Sequence, residues 1–201
     1  MDSVQGRLWE NPSHCFIHSE YLDFKVLDPG SDSVTSVSYS TYESILGPVR
    51  IFSTDPGIFR LDLLSESSDR AAFEIPEHWT ERNSDVHLQA LKFIECDSWS
   101  GPLIPLALYG TEFQLKVWKS ISDIPRGDYA TYGDIAGLLG DRNLSRAVGA
   151  ATGSNPVAVL IPCHRVLPAN GKPGAFRWGT EMKKRLLARE AGSSHAGSSL
   201  R

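Results

Sequence analysis

The chain has 201 residues, of which 41% are apolar and 22% charged, and this composition excludes collagenous, coiled-coil and wholly disordered proteins. Its formal net charge of -4 is uneven, because residues 111–190 carry +5 and the remainder -9, which favours a phosphate-bearing partner for the second segment. No apolar run reaches the roughly 18 residues of a membrane span, and residues 1–10 lack the apolar centre of a secretory signal.

The cysteines are sparse and support neither a disulfide framework nor a four-cysteine zinc site. Cys15, Cys96 and Cys163 are odd in number and include no Cys-x-x-Cys pair. We therefore expect a soluble intracellular protein without a membrane partner.

A short run near the N-terminus carries soft metal ligands. His14, Cys15 and His18 lie close together, but their spacing is not that of a standard zinc site. His78 or His87 could complete four ligands only through a contact made by the fold. We therefore expect no structural zinc and no cofactor.

The first half of the chain predicts an arm followed by a small sheet. Residues 1–34 show no sustained period and end in turn-forming residues, which is typical of a flexible arm. Strands are predicted at 35–39, 48–53 and 58–64, and Asp55-Pro56-Gly57 supplies a turn that makes the last two antiparallel. A helix at 84–96 and a Pro- and Gly-bearing connection follow, so we place a domain boundary near 108–111.

The second half is predicted to be helical. Thr111 and Gln114 fit a capping box, in which each side chain bonds the other residue's backbone N–H, ahead of a helix with one apolar face. Thr131 can cap a short helix ending at Gly140, and Asn143 a second ending near Gly153. Two short helices joined by a tight turn predict a helix-turn-helix, although the same pattern also occurs as ordinary helix packing.

The second of these short helices is rich in small residues. Arg146 is followed by Ala147, Gly149 and Ala150, so this helix can approach another surface closely. Tight packing against another helix explains this composition as well as a shallow contact with nucleic acid does. In the second case Arg146 is the one long side chain that probes the nucleic acid.

The sharpest local feature is the sequence around Cys163. The apolar run 157–160 predicts a buried extended segment, and Pro162 then fixes the place of the cysteine. A nucleophilic cysteine needs a nearby base or positive charge, because a free thiol is mostly protonated at neutral pH. His164 is adjacent, but neighbours on an extended chain point to opposite sides, so it reaches the thiol only through a turn or a bridging water. The alternative is a buried structural cysteine followed by a surface His-Arg pair.

Seven groups of residues follow one another along 110–190: Gly110-Thr111-x-Phe113-Gln114-x-x-Val117-Trp118, Ile124-Pro125-x-Gly127, Thr131-Tyr132, Arg146-Ala147-Val148-Gly149, Asn155-Pro156, Ile161-Pro162-Cys163-His164-Arg165-Val166 and Leu186-Leu187-x-x-Glu190. In order and spacing they resemble the O6-alkylguanine-DNA alkyltransferase family. The run Phe176-Arg177-Trp178-Gly179 is most similar to the alkyltransferase domain of the bacterial adaptive-response protein.

The chain is expected to have an α+β fold in four parts, of which the resemblance covers the middle two. Residues 1–34 match no part of the family, and their composition predicts a flexible arm. Residues 35–108 are similar in layout to the family's ribonuclease-H-like N-terminal domain with its antiparallel sheet. Residues 109–192 match the helical DNA-binding and catalytic domain with its helix-turn-helix. Residues 193–201 are a flexible tail.

The resemblance also implies a role for each catalytic residue. Cys163 is the acceptor that attacks the alkyl carbon, and His164 is its base through a water molecule. Glu190 orients and charge-stabilises that imidazole, as the third member of other triads does. Tyr132 donates its hydroxyl proton to a ring nitrogen of the leaving guanine, and Asn155 ties together the turn that precedes the cysteine.

The DNA contacts and the pocket are implied in the same way. Arg146 fills the space of a nucleotide that is flipped out of the duplex, and the helix binds the minor groove with little sequence preference. The remaining residues that we expect to touch DNA are Ala147, Gly149, Ala150 and Thr131. The alkyl pocket is expected to be lined by Val148, Pro162, Phe176, Arg177 and Trp178. The family generally has Tyr where this chain has Phe176, so the pocket keeps the ring and loses a hydroxyl.

The function implied is direct repair of double-stranded DNA by a monomeric methylated-DNA–protein-cysteine S-methyltransferase. Its expected location is the cytoplasm (nucleoid) if the protein is bacterial and the nucleus if it is eukaryotic. One alkyl group passes from O6 of guanine, or from O4 of thymine, to Cys163, and the resulting thioether has no leaving group for hydrolysis. One alternative is a non-catalytic sensor of alkylated bases, a class that lacks the acceptor cysteine. A cysteine hydrolase is another, but it would need an oxyanion hole and a route for water.

Overall fold

The computed structural model describes residues 22–26, 36–64 and 74–194. The described residues up to Leu108 form a sheet lobe, and those from Thr111 onward form a helical lobe. In chain order the regular elements are β1 (Leu22–Val26), β2 (Ser38–Tyr42), β3 (Val49–Thr54), β4 (Gly57–Leu63), β5 (Thr80–Glu81), α1 (Asp85–Glu95), β6 (Ile104–Leu108), α2 (Glu112–Ser122), β7 (Ala130–Thr131), α3 (Tyr132–Leu138), a 3₁₀ turn (Arg142–Leu144), α4 (Ser145–Gly153), a second 3₁₀ turn (Cys163–Arg165), β8 (Val166–Leu167) and α5 (Thr180–Ser194). None of the helices within these described ranges is long and apolar enough to cross a membrane.

The sheet lobe is a six-stranded mixed sheet in the order β1-β6-β4-β3-β2-β5. Strands β2, β3 and β4 form the predicted antiparallel meander, while β1 and β4 pair with β6, and β5 with β2, in parallel. The prediction of a purely antiparallel sheet is therefore wrong at both edges. Parallel neighbours are joined by long connections, so no local turn signal marks them in the sequence.

Strand β1 corrects the assignment of residues 1–34 to a flexible arm. Leu22–Val26 pairs in register with Ile104–Leu108, and Leu22 is buried against the core. The sheet lobe thus begins at or before Leu22. The rest of the predicted arm, including His14, Cys15 and His18, lies outside the described residues, as do residues 195–201 of the predicted tail.

Helix α1 covers one face of the sheet and agrees with the predicted helix to within one residue at each end. Ser84 caps it by accepting a hydrogen bond from the backbone N–H of His87 at 3.4 Å. Ala90 and Ile94 lie on its buried face and pack with Ile51, Leu61 and Leu106 of the sheet in one apolar core.

In the helical lobe, α2 packs against α4. The predicted capping box is present, with Gln114 N to Thr111 Oγ1 at 3.2 Å and Thr111 N to Gln114 Oε1 at 2.9 Å. The amide of Gln114 also donates to Ser154 Oγ at 2.9 Å, and the indole N–H of Trp118 donates to the Ala151 carbonyl at 2.8 Å. Two residues of the sequence motif thus hold α2 against the end of α4.

Helices α3 and α4 follow the predicted pair, with one correction at the start of the second. Thr131 and Asp134 form a capping box on α3, as expected for Thr131. Asn143 is not an N-cap, because the side chain of Asp141 accepts the backbone N–H of Asn143 at 2.9 Å and starts a 3₁₀ turn there. Helix α4 then begins at Ser145 without a side-chain cap. The carboxylate of Asp141, two residues before Asn143, accepts this backbone N–H and so starts the 3₁₀ turn there.

The segment before the cysteine is not the extended strand that its apolar run predicts. Leu61 of β4 donates its backbone N–H to the Pro156 carbonyl at 3.0 Å and accepts from the N–H of Ala158 at 3.1 Å. The chain then reverses at Val159, whose φ of 66° is rare for a β-branched residue. Cys163 then opens a 3₁₀ turn that spans Cys163–Arg165.

Candidate active site

A cavity of about 430 Å³ opens between α3, α4, the segment after the cysteine and the start of α5. The described residues that line it are Tyr132, Gly149, Thr152, Gly153, Cys163, Pro168, Gly174, Ala175, Phe176, Arg177, Trp178 and Lys183. Cys163 is the one thiol on this wall, and only 4% of its surface is exposed. The cavity is therefore a half-open site whose wall presents a sulfur atom.

Asn155 fixes the position of this sulfur. Its amide nitrogen lies 3.1 Å from Cys163 Sγ, 2.9 Å from the Ile161 carbonyl and 3.3 Å from the Val157 carbonyl. Its amide oxygen accepts from the backbone N–H of Val157 at 2.9 Å. A single buried side chain therefore closes the turn and donates to the thiol, the role in the turn that was predicted for it.

Behind Cys163 a buried carboxylate holds two basic groups. Nε2 of His164 lies 2.9 Å from Glu190 Oε1, and the guanidinium of Arg165 donates to both carboxylate oxygens, each at 2.9 Å. Burial alone would raise the pKa of Glu190, but the hydrogen bonds from His164 and Arg165 outweigh it and hold that pKa far below its usual range. Glu190 is thus a permanent buried anion.

This anion decides which nitrogen of His164 can act as a base. Burial lowers the pKa of His164 despite the opposing effect of Glu190, so the imidazole is neutral at neutral pH. The carboxylate at Nε2 favours the tautomer with its proton there. Nδ1 is buried, accepts no hydrogen bond from a described residue and keeps its lone pair. The predicted His164–Glu190 partnership is present in the structure.

Cys163 sits where burial opposes ionisation and nearby charges favour it. Burial raises the pKa of Cys163, whereas the Asn155 hydrogen bond and the charges of Lys183 and Arg177 lower it. The Lys183 side chain is itself buried, donates to the Val166 carbonyl at 2.7 Å and has its pKa lowered by burial. The resting thiol is therefore protonated, with two cations and a donor placed to stabilise its thiolate.

The opposite wall is aromatic. The rings of Phe176 and Trp178 meet edge to face at 5.2 Å, and Arg177 lies over Trp178 while donating to the Asn155 carbonyl at 3.2 Å. Tyr132 is partly buried beside Gly149, and burial together with the neighbouring Cys163 raises its pKa, so its phenol keeps its proton. Two of the pocket residues expected from sequence do not line the cavity, since Val148 and Pro162 are buried in the core.

The predicted DNA-contacting residues lie on or next to one exposed helix. Arg146, Ala147 and Ala150 are exposed on α4, and Gly149 faces the cavity. Thr131 uses its hydroxyl inside the protein, accepting from Asp134 N at 3.1 Å and donating to Asp134 Oδ2 at 2.7 Å. Its side chain therefore already has partners within the capping box.

Two charged residues of the site were not predicted from the sequence, namely Lys183 and Arg165 as the second partner of Glu190. Five further residues of the cavity wall were not predicted either: Thr152, Gly153, Pro168, Gly174 and Ala175. A signal for Lys183 existed, because Lys183, Leu186 and Glu190 follow the i, i+3, i+7 spacing of one helix face. Nothing local indicates that Arg165 bonds Glu190, since the two lie 25 positions apart.

His87, one of the two histidines that could have completed a zinc site through a fold contact, has other partners. Its Nε2 lies 2.8 Å from Ser53 Oγ and its Nδ1 lies 3.2 Å from the Tyr42 hydroxyl, inside the sheet lobe. Among residues 22–26, 36–64 and 74–194 there is no group of three or more His, Cys, Asp or Glu side chains that could hold a metal ion.

Comparisons with known proteins point to one family. Residues 112–192 match the family model for the DNA-binding domain of 6-O-methylguanine DNA methyltransferase. The chain is 36% identical over 156 residues to the methylated-DNA–protein-cysteine methyltransferase of Methanosarcina acetivorans, an alignment that spans 76% of this chain and 97% of that protein. It is 34% identical over 168 residues to the enzyme of the same name from Mycolicibacterium paratuberculosis, covering 82% and 98%.

Solved structures agree. The crystal structure of Mycobacterium tuberculosis O6-methylguanine methyltransferase superposes with a TM-score of 0.66 at 33% identity, covering 78% of this chain and 94% of that one. A structure of Mycobacterium tuberculosis OGT in complex with DNA gives a TM-score of 0.66 at 32% identity with the same coverage. The mixed α/β architecture described above, with its sheet and five helices, matches these structures.

Proposed function

Because the chain belongs to the methylated-DNA–protein-cysteine methyltransferase family of DNA repair enzymes, we propose that it moves one alkyl group from O6 of guanine in DNA to Sγ of Cys163. The observation that carries this proposal is the position of Cys163, which lines a half-open cavity, accepts a hydrogen bond at its sulfur and is followed in the chain by His164 with its partner Glu190. O4 of thymine is a second substrate, since it presents the same alkyl–oxygen bond.

The transfer is an in-line displacement. The Cys163 proton passes through a bridging water to Nδ1 of His164, and Glu190 stabilises the imidazolium that forms. The sulfur lone pair forms the S–C bond as the C–O6 bond breaks. Lys183, Arg177 and the Asn155 amide stabilise the thiolate during this step.

The electron pair of the broken bond stays on the guanine, so the leaving base needs a proton. Tyr132 is protonated at neutral pH and lies on the cavity wall, which suits it to donate to a ring nitrogen. Guanine then departs neutral rather than as an anion. The product thioether resists hydrolysis, so each chain reacts once.

The cavity can receive only a base that has left the helical stack. We infer that α3 and α4 act as a helix-turn-helix in the minor groove, with α4 against the DNA and exposed Arg146 in place of the flipped nucleotide. The antiparallel meander and its parallel neighbours support a ribonuclease-H-like description of the sheet lobe. One copy of the chain carries every proposed reacting group, which is consistent with action as a monomer.

Intact-protein mass spectrometry tests this proposal. The purified protein is mixed with duplex DNA that bears one O6-methylguanine, and a gain of about 14 Da, one methylene, is expected once per chain and on Cys163. Cys163→Ala should bind the DNA without gaining mass. The matched control Cys96→Ala, which removes a partly exposed thiol away from the cavity, should react like the wild type.

Other outcomes would redirect the assignment. A modification on another residue, or transfer that survives in Cys163→Ala, would contradict Cys163 as the acceptor. DNA binding without any mass gain in the wild type would instead identify a non-catalytic sensor of alkylated bases.

A further inference from the structure

The sheet lobe places none of its described side chains on the cavity wall, yet it bonds both segments that carry the reacting groups. One contact is the pairing of Leu61 with Pro156 and Ala158, in the turn that ends at Cys163. The other contact is made by α5, the helix that carries Lys183 and Glu190. This second contact consists of arginine side chains on backbone carbonyl groups.

Helix α5 has two working faces. Lys183, Leu186 and Glu190 are buried toward the cavity and its backing. Arg185 and Arg189, one helical turn apart, reach instead to the sheet lobe. Arg185 donates to the Ile45 carbonyl at 2.6 Å. The helix is therefore attached on one side to the active site and on the other to the sheet lobe.

Arg189 holds the C-terminal end of α1. Its guanidinium donates to the Ile94 carbonyl at 2.6 Å and to the Glu95 carbonyl at 2.9 Å. These carbonyls belong to the last turn of α1, where the helix dipole favours a cation. Asp97 lies 3.7 Å from Arg189 and 2.9 Å from Arg126, so a carboxylate stands beside this contact.

We propose that Arg185 and Arg189 are positioning residues for alkyl transfer. They fix the rotation of α5 about its axis and its position along that axis, and thereby hold Glu190 at His164. A shift of one residue in an α-helix rotates a side chain by about 100° and moves it about 1.5 Å along the axis. Either displacement would break the 2.9 Å contact between Glu190 and Nε2 of His164. This inference rests on the proposed function and assigns the sheet lobe a part in it.

The test compares variants of the full chain in a single-turnover assay of methyl transfer, with DNA affinity measured separately. Arg189→Met should lower the transfer rate constant at saturating DNA by about 10-fold and leave the Kd for DNA unchanged. Arg189→Lys keeps a cation that can donate to the same carbonyls and should restore most of the rate. The control is Lys184→Met on the same helix, whose exposed ammonium pairs only with Glu181 among the described residues and should have no effect.

A double-mutant cycle separates positioning from general stabilisation. If Arg189 acts through Glu190, Arg189→Met should cause no further loss of the transfer rate constant in a Glu190→Gln background. A full additional loss in that background, or an unchanged rate in Arg189→Met alone, would overturn the proposal. If Arg189→Met does not fold, Arg185→Met and the exposed Asp97→Asn decide by the same two criteria. Wild-type protein that transfers no methyl group would contradict the proposed function instead.

Discussion

At the scale of single residues, Glu190 is the group on which the site depends most. It is 4% exposed and carries a full negative charge that His164 and Arg165 share. A buried ion held in this way is strongly destabilising when one partner is removed, because the other charge stays behind without compensation. The same geometry that serves the reaction therefore also serves folding.

Replacing Glu190 by Gln tests both roles. The amide keeps an oxygen acceptor but cannot stabilise an imidazolium, so we expect the transfer rate to fall on the order of 10²-fold. Arg165 loses its counter-charge, and the free energy of unfolding should fall by about 3–5 kcal/mol. Single-turnover kinetics and urea unfolding measure the two effects. Rates equal to those of the wild type would exclude Glu190 from the proton relay.

Replacing Asp123 should raise the stability of the protein, the opposite of the effect expected at Glu190. Burial raises its pKa to about 6, and Oδ1 has no hydrogen-bond partner among the described residues. The folded state binds this proton more tightly than the unfolded state does, so the carboxyl costs stability as pH rises from its unfolded pKa through about 6.

Asp123→Asn should consequently stabilise the protein by about 1 kcal/mol near pH 7.5, with a smaller gain near pH 4.5. Thermal unfolding at both pH values measures the difference. Asp128→Asn, at an exposed carboxyl after the same helix, is the control and should change little. A gain that does not depend on pH would contradict the burial of a charged Asp123.

At the scale of elements, the turn from Asn155 to Cys163 positions the thiol that we propose as the acceptor. It contains a positive φ at Val159, pairs with β4 and is closed by one amide side chain. Burial alone does not determine the place of the sulfur. That place depends on a few hydrogen bonds whose partners are nearly all backbone groups of the turn itself.

Asn155→Ala should therefore loosen the turn. It leaves the N–H of Val157 and the carbonyl of Ile161 buried without their side-chain partner, which we expect to cost about 2–4 kcal/mol of stability. Transfer should slow as the sulfur loses its donor. Asn170→Ala removes a similar hydrogen bond on the surface, to Lys172 N, and is the control for unfolding measurements. Equal effects of the two substitutions would argue against a structural role for the buried amide.

At the scale of the whole molecule, the two lobes are stabilised in different ways. The sheet lobe buries a neutral polar group, His87, between Ser53 and Tyr42, and burial lowers the pKa of that imidazole to about 4. The helical lobe instead buries charges around Glu190. Acid therefore affects the two lobes through different groups.

The unfolded chain binds a proton at His87 that the folded chain excludes between about pH 6.5 and 4. The stability contributed by neutral His87 is thus fully present above pH 6.5 and is lost as pH falls toward 4. His87→Gln should flatten the fall in melting temperature over this range, whereas His78→Gln on the surface should not. An unchanged slope in His87→Gln would show that other groups cause acid destabilisation.

The strength of DNA binding is also a property of the whole molecule, because it depends on how charge is distributed along the chain. Residues 111–190 carry +5 in a chain of net -4, so affinity should fall steeply with added salt. Arg146→Ala should weaken binding at every sequence tested, while Arg82→Ala, at an exposed arginine of the sheet lobe, should not. Fluorescence anisotropy at several salt concentrations measures this, and a salt-independent affinity would argue against phosphate contacts.

Much of the local structure was present in the sequence. The capping box at Thr111, the cap at Thr131, the ends of α1 and the meander β2-β3-β4 depend on residues only a few positions apart, so their patterns can be recognised along the chain. The resemblance over 110–190 led to the family that the comparisons show, and to the pairing of His164 with Glu190 that the structure contains.

Tertiary structure alone decided the remaining features. Strand β1 joins the sheet through β6, some 80 residues later, and Arg165 bonds a carboxylate that no local pattern connects to it. The reversal at Val159 and the burial of Lys183 follow from packing against β4 and around the cavity. Local patterns are set by nearest-neighbour sterics and hydrogen bonds, whereas parallel pairing, buried ion pairs and cavity walls need surfaces that exist only once distant segments have met.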